Sequence, residues 1–205
     1  MNKPWIRLIS GRAFPLENPQ LSDFRLEDIA HNLSRINRYT GAIAPEHYSV
    51  AEHSIRVAFY TRALLKRVMP RASKDSLTHA FRAGLMHDAA EAYLNDLSSP
   101  LKRLDELEGY QQVSDRYDAL LSTRFSLRTF HGAGVDLVHE ADLAIFDAEH
   151  PILQPGPGPR APILAKLPPV ENLGAVGYFG NWGWTPNIAK RFFLEYALED
   201  AGFSD

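Results

Sequence analysis

Apolar residues recur three and four positions apart over most of the chain, the spacing of helices that each bury one face. Phe24, Leu26, Ile29, Ala30, Leu33 and Ile36 mark a first helix from Asp23 to about Arg38, with Gly41 as its stop. Ser49-Val50-Ala51-Glu52 has the form of a capping box, a serine hydroxyl for the third amide and a glutamate reaching back. It opens a second helix that carries Ile55, Val57, Ala58, Phe59, Ala63, Leu64 and Leu65 to about Met69, ahead of Pro70. Further helices are predicted from Lys74 to Leu94, Leu104 to Arg124 and Val135 to His150. No segment sustains strict alternation, so the body is expected to be all-α.

Both ends break the pattern. The first twenty residues, with Trp5-Ile6-Arg7-Leu8-Ile9, Gly11 and Phe14-Pro15-Leu16, predict a short extended arm or hairpin turned at Gly11. From Pro151 to Pro169 the chain holds seven of its fourteen prolines, the composition of a loop or linker. A glycine and aromatic stretch, Gly177-Tyr178-Phe179-Gly180-Asn181-Trp182-Gly183-Trp184, follows. Thr185 as N-cap and Pro186 in the first turn open a last helix that Gly202 closes. The expected organisation is a helical domain over 1–150, arm included, with 151–205 as a Pro/Gly-rich appendage whose final helix packs on the same domain.

Composition narrows the chemistry. At 205 residues, 45% hydrophobic and 23% charged, the chain is globular in type. No apolar run approaches the roughly 18–20 residues of a membrane span, and Met1-Asn2-Lys3-Pro4-Trp5 leads into no secretory segment, so a cytoplasmic protein is expected. A net charge of -3 gives no footing for a nucleic-acid polymer. Zero cysteines exclude disulfides, thiolate metal sites and thiol nucleophiles. Any metal must be held by carboxylates and the eight histidines.

His87-Asp88 interrupts the apolar run Ala83-Gly84-Leu85-Met86, and Glu91 follows one turn later. On a continuous helix these polar groups share one face, which is expensive to bury unless paired. A divalent cation is one answer and a buried His–Asp hydrogen bond is another. His53, at the start of the capped helix, and Asp142, amid apolar residues of the fifth, complete two imidazoles and two carboxylates. That donor set suits Mn, Fe, Co, Ni or Zn. Spacing alone does not establish it, because eight histidines offer many such combinations.

The pattern His53, His87-Asp88, Asp142 resembles that of the HD-domain phosphohydrolases. Ile36-Asn37-Arg38-Tyr39, Ser49-Val50-Ala51-Glu52-His53-Ser54, His87-Asp88-Ala89-Ala90-Glu91 and Asp96-Leu97-Ser98-Ser99-Pro100-Leu101-Lys102 resemble the bacterial 5′-deoxynucleotidase branch segment by segment. Trp5-Ile6, Gly11-Arg12 and Glu27-Asp28-Ile29-Ala30 are similar to its phage- and prophage-encoded relatives, from which Ala42-Ile43-Ala44-Pro45-Glu46 departs. The resemblance implies an HD-domain helical bundle that binds one divalent transition metal (Co, Mn, Zn, Fe or Ni) through His53, His87, Asp88 and Asp142. It implies Glu91 and Asp96 as catalytic residues, Arg38 on a substrate phosphate, and Tyr39 beside the sugar or base. The implied partner is a small-molecule nucleotide, with no membrane and a homo-oligomer of two or more chains. The implied reaction is hydrolysis of a deoxynucleoside 5′-monophosphate to the nucleoside and phosphate.

Two other activities use related sites. A triphosphohydrolase, acting for example on dATP, releases triphosphate from the same metal site, and a non-catalytic sensor binds nucleotide without turnover. A di-iron oxygenase on this scaffold needs more histidines between Asp88 and Asp142 than His131 and His139. Among the rest, Glu52 is read as the capping-box partner, His47 as a loop residue, and His79 as a partly exposed helix residue. His31 and His150 are read as structural or exposed, and Trp182 and Trp184 as packing the tail on the body.

Overall fold

The computed structural model describes residues 3–157, 162–167 and 182–203, and is helical throughout its body. The N-terminal arm is a hairpin: β1 (Trp5–Arg7) pairs antiparallel with β2 (Ala13–Pro15), and Gly11 takes the positive φ of +80° that the turn needs. Phe14 is carried by β2 into the core, where its ring stacks on Tyr93 at 4.1 Å.

Eight helices follow among the described residues: α1 (Leu26–Leu33), α2 (Val50–Val68), α3 (Lys74–Leu85), α4 (Glu91–Leu94), α5 (Ser99–Lys102), α6 (Glu108–Arg124), α7 (Leu137–Leu153) and α8 (Pro186–Glu199). A second small hairpin, β3 (His131–Gly132) with β4 (Val135–Asp136), turns the chain into α7. The all-α expectation stands, with these two short hairpins as additions.

α2 is the central helix. It packs on α3, α7 and α8, and every residue from Val50 to Thr61 is buried. The main core joins the arm, α1, α2, α3, α6 and α8, and a smaller one fills the space between α2, α3 and α7 around Leu64, Leu65 and Ile145. α3 lies against α2 at Gly84, where a Cβ would stand 2.7 Å from the Ala58 Cα, so only glycine permits this spacing.

Four predicted helices differ from those observed; the fourth begins at Glu108, after a 3-10 turn over Asp105–Leu107. The first stops at Leu33, and Arg38 lies in extended backbone, its amide donating to the Tyr48 carbonyl at 3.0 Å. Positive φ at Tyr39 (56°) and Thr40 (53°) reverses the chain there. The third stops at Leu85, and Met86–Ala90 form tight turns before α4. His87 and Asp88 therefore sit at a break between helices and not on one continuous face. The fifth runs through Pro151 to Leu153, because a proline two residues from a helix end removes only one late hydrogen bond.

The Ser49 hydroxyl caps α2, accepting from the Glu52 amide at 3.1 Å. The other half of the capping box is absent: the Glu52 carboxylate turns to Arg56, at 2.6 Å, and to the amides of Gly183 and Trp184. The Arg56 guanidinium lies 3.8 Å over the Trp182 ring, so both tryptophans pack the tail on the body as expected. Residues 177–181 of the glycine and aromatic stretch, and 158–161 and 168–169 of the proline-rich segment, lie outside the described residues.

Candidate metal centre and active-site cavity

His53, one turn into α2, is fully buried and directs Nε2 at Asp142 of α7, 3.0 Å from Oδ1. His87 arrives from the break after α3, its ring centroid 5.2 Å from that of His53. The Gly84 carbonyl, which a continuing helix would offer to the Asp88 amide, instead accepts from the His87 Nδ1–H at 2.8 Å. This fixes the proton on Nδ1 and leaves Nε2 as the free nitrogen. His87 Nε2 is buried without a hydrogen-bond partner, 3.9 Å from Asp142 Oδ1. His53, His87 and Asp142 thus offer three ligand atoms within 4.8 Å of one another. Asp88 adds Oδ2 at 3.1 Å from His87 Nε2 and 3.9 Å from His53 Nε2.

Charge in this cluster is tightly coupled. Burial disfavours the cation of His87, but Asp88 and Asp142 outweigh it and raise its pKa to about 9. Burial and Arg38 likewise oppose the cation of His53, which Glu149 and Asp142 nevertheless raise. Asp88 and Asp142 are held below the usual carboxylate range by the imidazoles, against the effect of burial. The converging atoms of His53, His87 and Asp142, with the Asp88 carboxylate beside His87, are the imidazole and carboxylate donors that suit a divalent transition metal.

The cluster floors a cavity of about 660 Å³ lined by Arg38, Tyr39, Asp88, Glu91, Asp96 and Asp142 among others. Arg38 spans the floor, with Nη1 3.6 Å from Asp88 Oδ2 and Nε 3.4 Å from Glu149 Oε2. Glu91 opens α4 and is buried; Lys102 of α5 donates to its Oε1 at 2.9 Å, while Oε2 has no partner. Burial, with Asp88 and Asp96 nearby, pushes the Glu91 pKa up to about 8 against the pull of Lys102. Asp96 is half-buried, and burial raises its pKa as well.

The family whose model is described as 5′-deoxynucleotidase YfbR-like matches residues 27–121. Uncharacterized protein YfdR of Escherichia coli K12 is 31% identical over 191 residues, 93% of this chain and 92% of that protein. The chain belongs to the YfbR-like family of HD-domain proteins. An uncharacterized protein of Rhodobacter capsulatus is 35% identical over 128 residues, 62% of this chain, and the match spans 61% of that relative's length. The YfbR-like match takes in His53, His87, Asp88, Glu91 and Asp96 and ends before Asp142. The 191-residue alignment to YfdR extends over Asp142.

Of the eight residues singled out in the sequence, Arg38, Tyr39, Asp88, Glu91, Asp96 and Asp142 line the cavity, and His53 and His87 meet Asp142 in the cluster at its floor. His139 is exposed on α7, and His131 is exposed in β3. His47 bonds the Ser34 carbonyl at 2.8 Å, away from the ligands. One of the plain readings is corrected: His79 is buried, 8% exposed, beside Asp75. His150, half-buried on α7, borders the cavity.

Sequence reasoning missed Glu149, Tyr48 and Lys102 as parts of the site. Glu149 is fully buried and meets His53, Tyr48, Tyr39 and Arg38. Its signal was available, since it follows Asp142 by seven residues, two helical turns on one face of α7. Against burial, His53 and Arg38 hold its pKa down to about 2.

Proposed function

We propose that this protein is a metal-dependent phosphohydrolase acting on deoxynucleoside 5′-monophosphates. The observation that carries the reading is the convergence of ligand atoms from His53, His87 and Asp142 beside an arginine at the floor of an open cavity. His53, His87, Asp88 and Asp142 would hold the ion. A bound divalent metal supplies Lewis acidity toward a phosphoryl oxygen and lowers the pKa of water.

The protein groups account for the remaining needs of the reaction. Arg38, permanently charged and nearly buried, receives the phosphate and neutralises charge on its oxygens. Water attacks phosphorus as the bond to the sugar 5′ oxygen breaks, which requires one proton taken and one given. Asp96, at the cavity edge, accepts the proton of the attacking water. Glu91, with its raised pKa, carries a proton at neutral pH and donates it to the departing oxygen. Lys102 fixes the other oxygen of Glu91. Tyr39 borders the cavity where the sugar would lie and governs the choice of deoxyribose. The family description, 5′-deoxynucleotidase YfbR-like, supports the same substrate class.

The test is hydrolysis of paired deoxy- and ribonucleoside mono- and triphosphates with Mn, Co or Mg, after chelator treatment. Free phosphate from deoxynucleoside monophosphates, restored by metal, is the expected result. Release of triphosphate alone would make the chain a triphosphohydrolase, and tight nucleotide binding without turnover under any metal would make it a sensor.

A further inference from the structure

We infer that Glu149 is a positioning residue that orients His53 toward the metal centre with one carboxylate oxygen, and Arg38 and Tyr39 toward the substrate with the other. The division of labour is visible in the contacts. Oε1 accepts from the Tyr48 hydroxyl at 2.5 Å and stands 2.6 Å from His53 Nδ1. Oε2 accepts from the Tyr39 hydroxyl at 3.0 Å and faces Arg38 Nε at 3.4 Å.

Each oxygen does something specific. An ionised carboxylate only accepts hydrogen bonds, so Glu149 holds a proton on Nδ1, and Nε2, the nitrogen paired with Asp142, is the one left to coordinate when a metal takes the place of its proton. On the other side, Nε of Arg38 is turned to Glu149, which leaves Nη1 on the side of Asp88 and the cavity. Tyr39 holds a left-handed backbone, φ +56°, which an aromatic residue rarely adopts without support. Its hydroxyl on Glu149, and its ring against Phe146, supply that support. α7 thereby delivers both Asp142, which faces the ligand cluster, and the group that aims the ligand opposite it.

A purely structural role does not account for this arrangement. Burying an isolated carboxylate is costly, and an apolar residue would fill the same space at less expense. Here the carboxylate collects two hydroxyls, an imidazole and a guanidinium, two of the four from Arg38-Tyr39 and two from the capped start of α2, Tyr48 and His53.

The inference rests on the phosphohydrolase reading for the substrate role of Arg38 and Tyr39, so its test includes measurements that need no turnover. Glu149→Gln, Tyr48→Phe and Tyr39→Phe are made in the full chain. Mn²⁺ is titrated into chelator-treated protein by calorimetry, and inorganic phosphate into the Mn²⁺-loaded protein. KM and kcat follow for a deoxynucleoside monophosphate and its ribose counterpart.

Glu149→Gln is expected to weaken Mn²⁺ by about 10–100-fold, as loss of a ligand's hydrogen-bond partner typically does, and to weaken phosphate as well. Tyr48→Phe should weaken Mn²⁺ with phosphate binding unchanged. Tyr39→Phe should leave Mn²⁺ binding alone, raise KM and narrow the deoxyribose preference. Unchanged Mn²⁺ affinity in folded Glu149→Gln overturns the inference, as does weakened Mn²⁺ with phosphate affinity and KM intact. Should Glu149→Gln fail to fold, the two tyrosine variants decide, and the absence of their opposite effects on Mn²⁺ and KM overturns it. The expected Mn²⁺ and phosphate changes with no nucleotide hydrolysed would support the role of Glu149 and refute the nucleotidase reading.

Discussion

Replacing Glu52 by alanine separates two accounts of the best-capped helix in the chain. As a capping-box partner, Glu52 would contribute roughly 0.3–1.5 kcal/mol. The structure gives it a different task. It is fully buried, its Oε1 accepting from Arg56 at 2.6 Å and from the Gly183 amide at 3.2 Å, its Oε2 from the Trp184 amide at 2.8 Å. Arg56 is equally buried. Removing one member of a buried ion pair costs about 3–5 kcal/mol, because the remaining charge has lost its counterion away from water. For a chain of this length that is a fall in Tm of roughly 6–20 °C. Urea unfolding followed by circular dichroism measures the loss, and tryptophan emission reports Trp182 and Trp184, which stack on Arg56. Glu52→Gln, which retains an acceptor oxygen, should fall between wild type and alanine. Glu52→Leu with Arg56→Met should be less destabilised than Glu52→Ala, since it leaves no buried charge. A loss in Glu52→Ala below about 1.5 kcal/mol, with unaltered tryptophan emission, would restore the capping-box account.

Other outcomes follow from the site. His53→Ala, His87→Ala and Asp142→Ala should each strip bound metal by elemental analysis and abolish turnover, whereas exposed His139→Ala should do neither. Glu91→Gln should keep its metal and lose roughly 10²–10⁴ in kcat, and a metal-free variant would make Glu91 a ligand instead. On the proposed role of Glu91 as proton donor, with its pKa pushed up to about 8, wild-type kcat/KM should fall as pH rises past that value; a rate that climbs steadily to pH 10 contradicts the role. Arg38→Ala should lose about 1.5–3 kcal/mol in kcat/KM, and Arg38→Lys should recover only part, lacking the planar fork. Gly84→Ala should destabilise the fold by roughly 1–3 kcal/mol and loosen metal, since its Cβ would push α3 from Ala58 and carry the carbonyl that holds His87 with it. Unchanged metal affinity in that variant would show the His87 ring to be held by other contacts.

The sequence by itself determined the helical body, the arm turned at Gly11 and the tail helix opened by Pro186. These are properties of local spacing and residue type. Apolar period fixes a helix, positive φ selects glycine, and a cysteine-free chain restricts ligands to imidazole and carboxylate. The resemblance to HD-domain phosphohydrolases pointed to His53 and His87, which the fold brings together with Asp142. Tertiary structure decided what spacing leaves open. The periodicity runs unbroken through His87, yet the helix stops at Leu85, because the His87 ring takes the Gly84 carbonyl and turns Nε2 toward His53. Glu52 fits a local cap, yet a tail more than a hundred residues away brings it two amides and covers its partner Arg56 with a tryptophan. Glu149 reads as one more acidic helix residue until α7 lies beside α2 and Arg38-Tyr39, when its two oxygens find donors from segments 96 and 110 residues distant. A hydrogen bond depends on separation in space, and only the folded chain brings such separations to bonding distance.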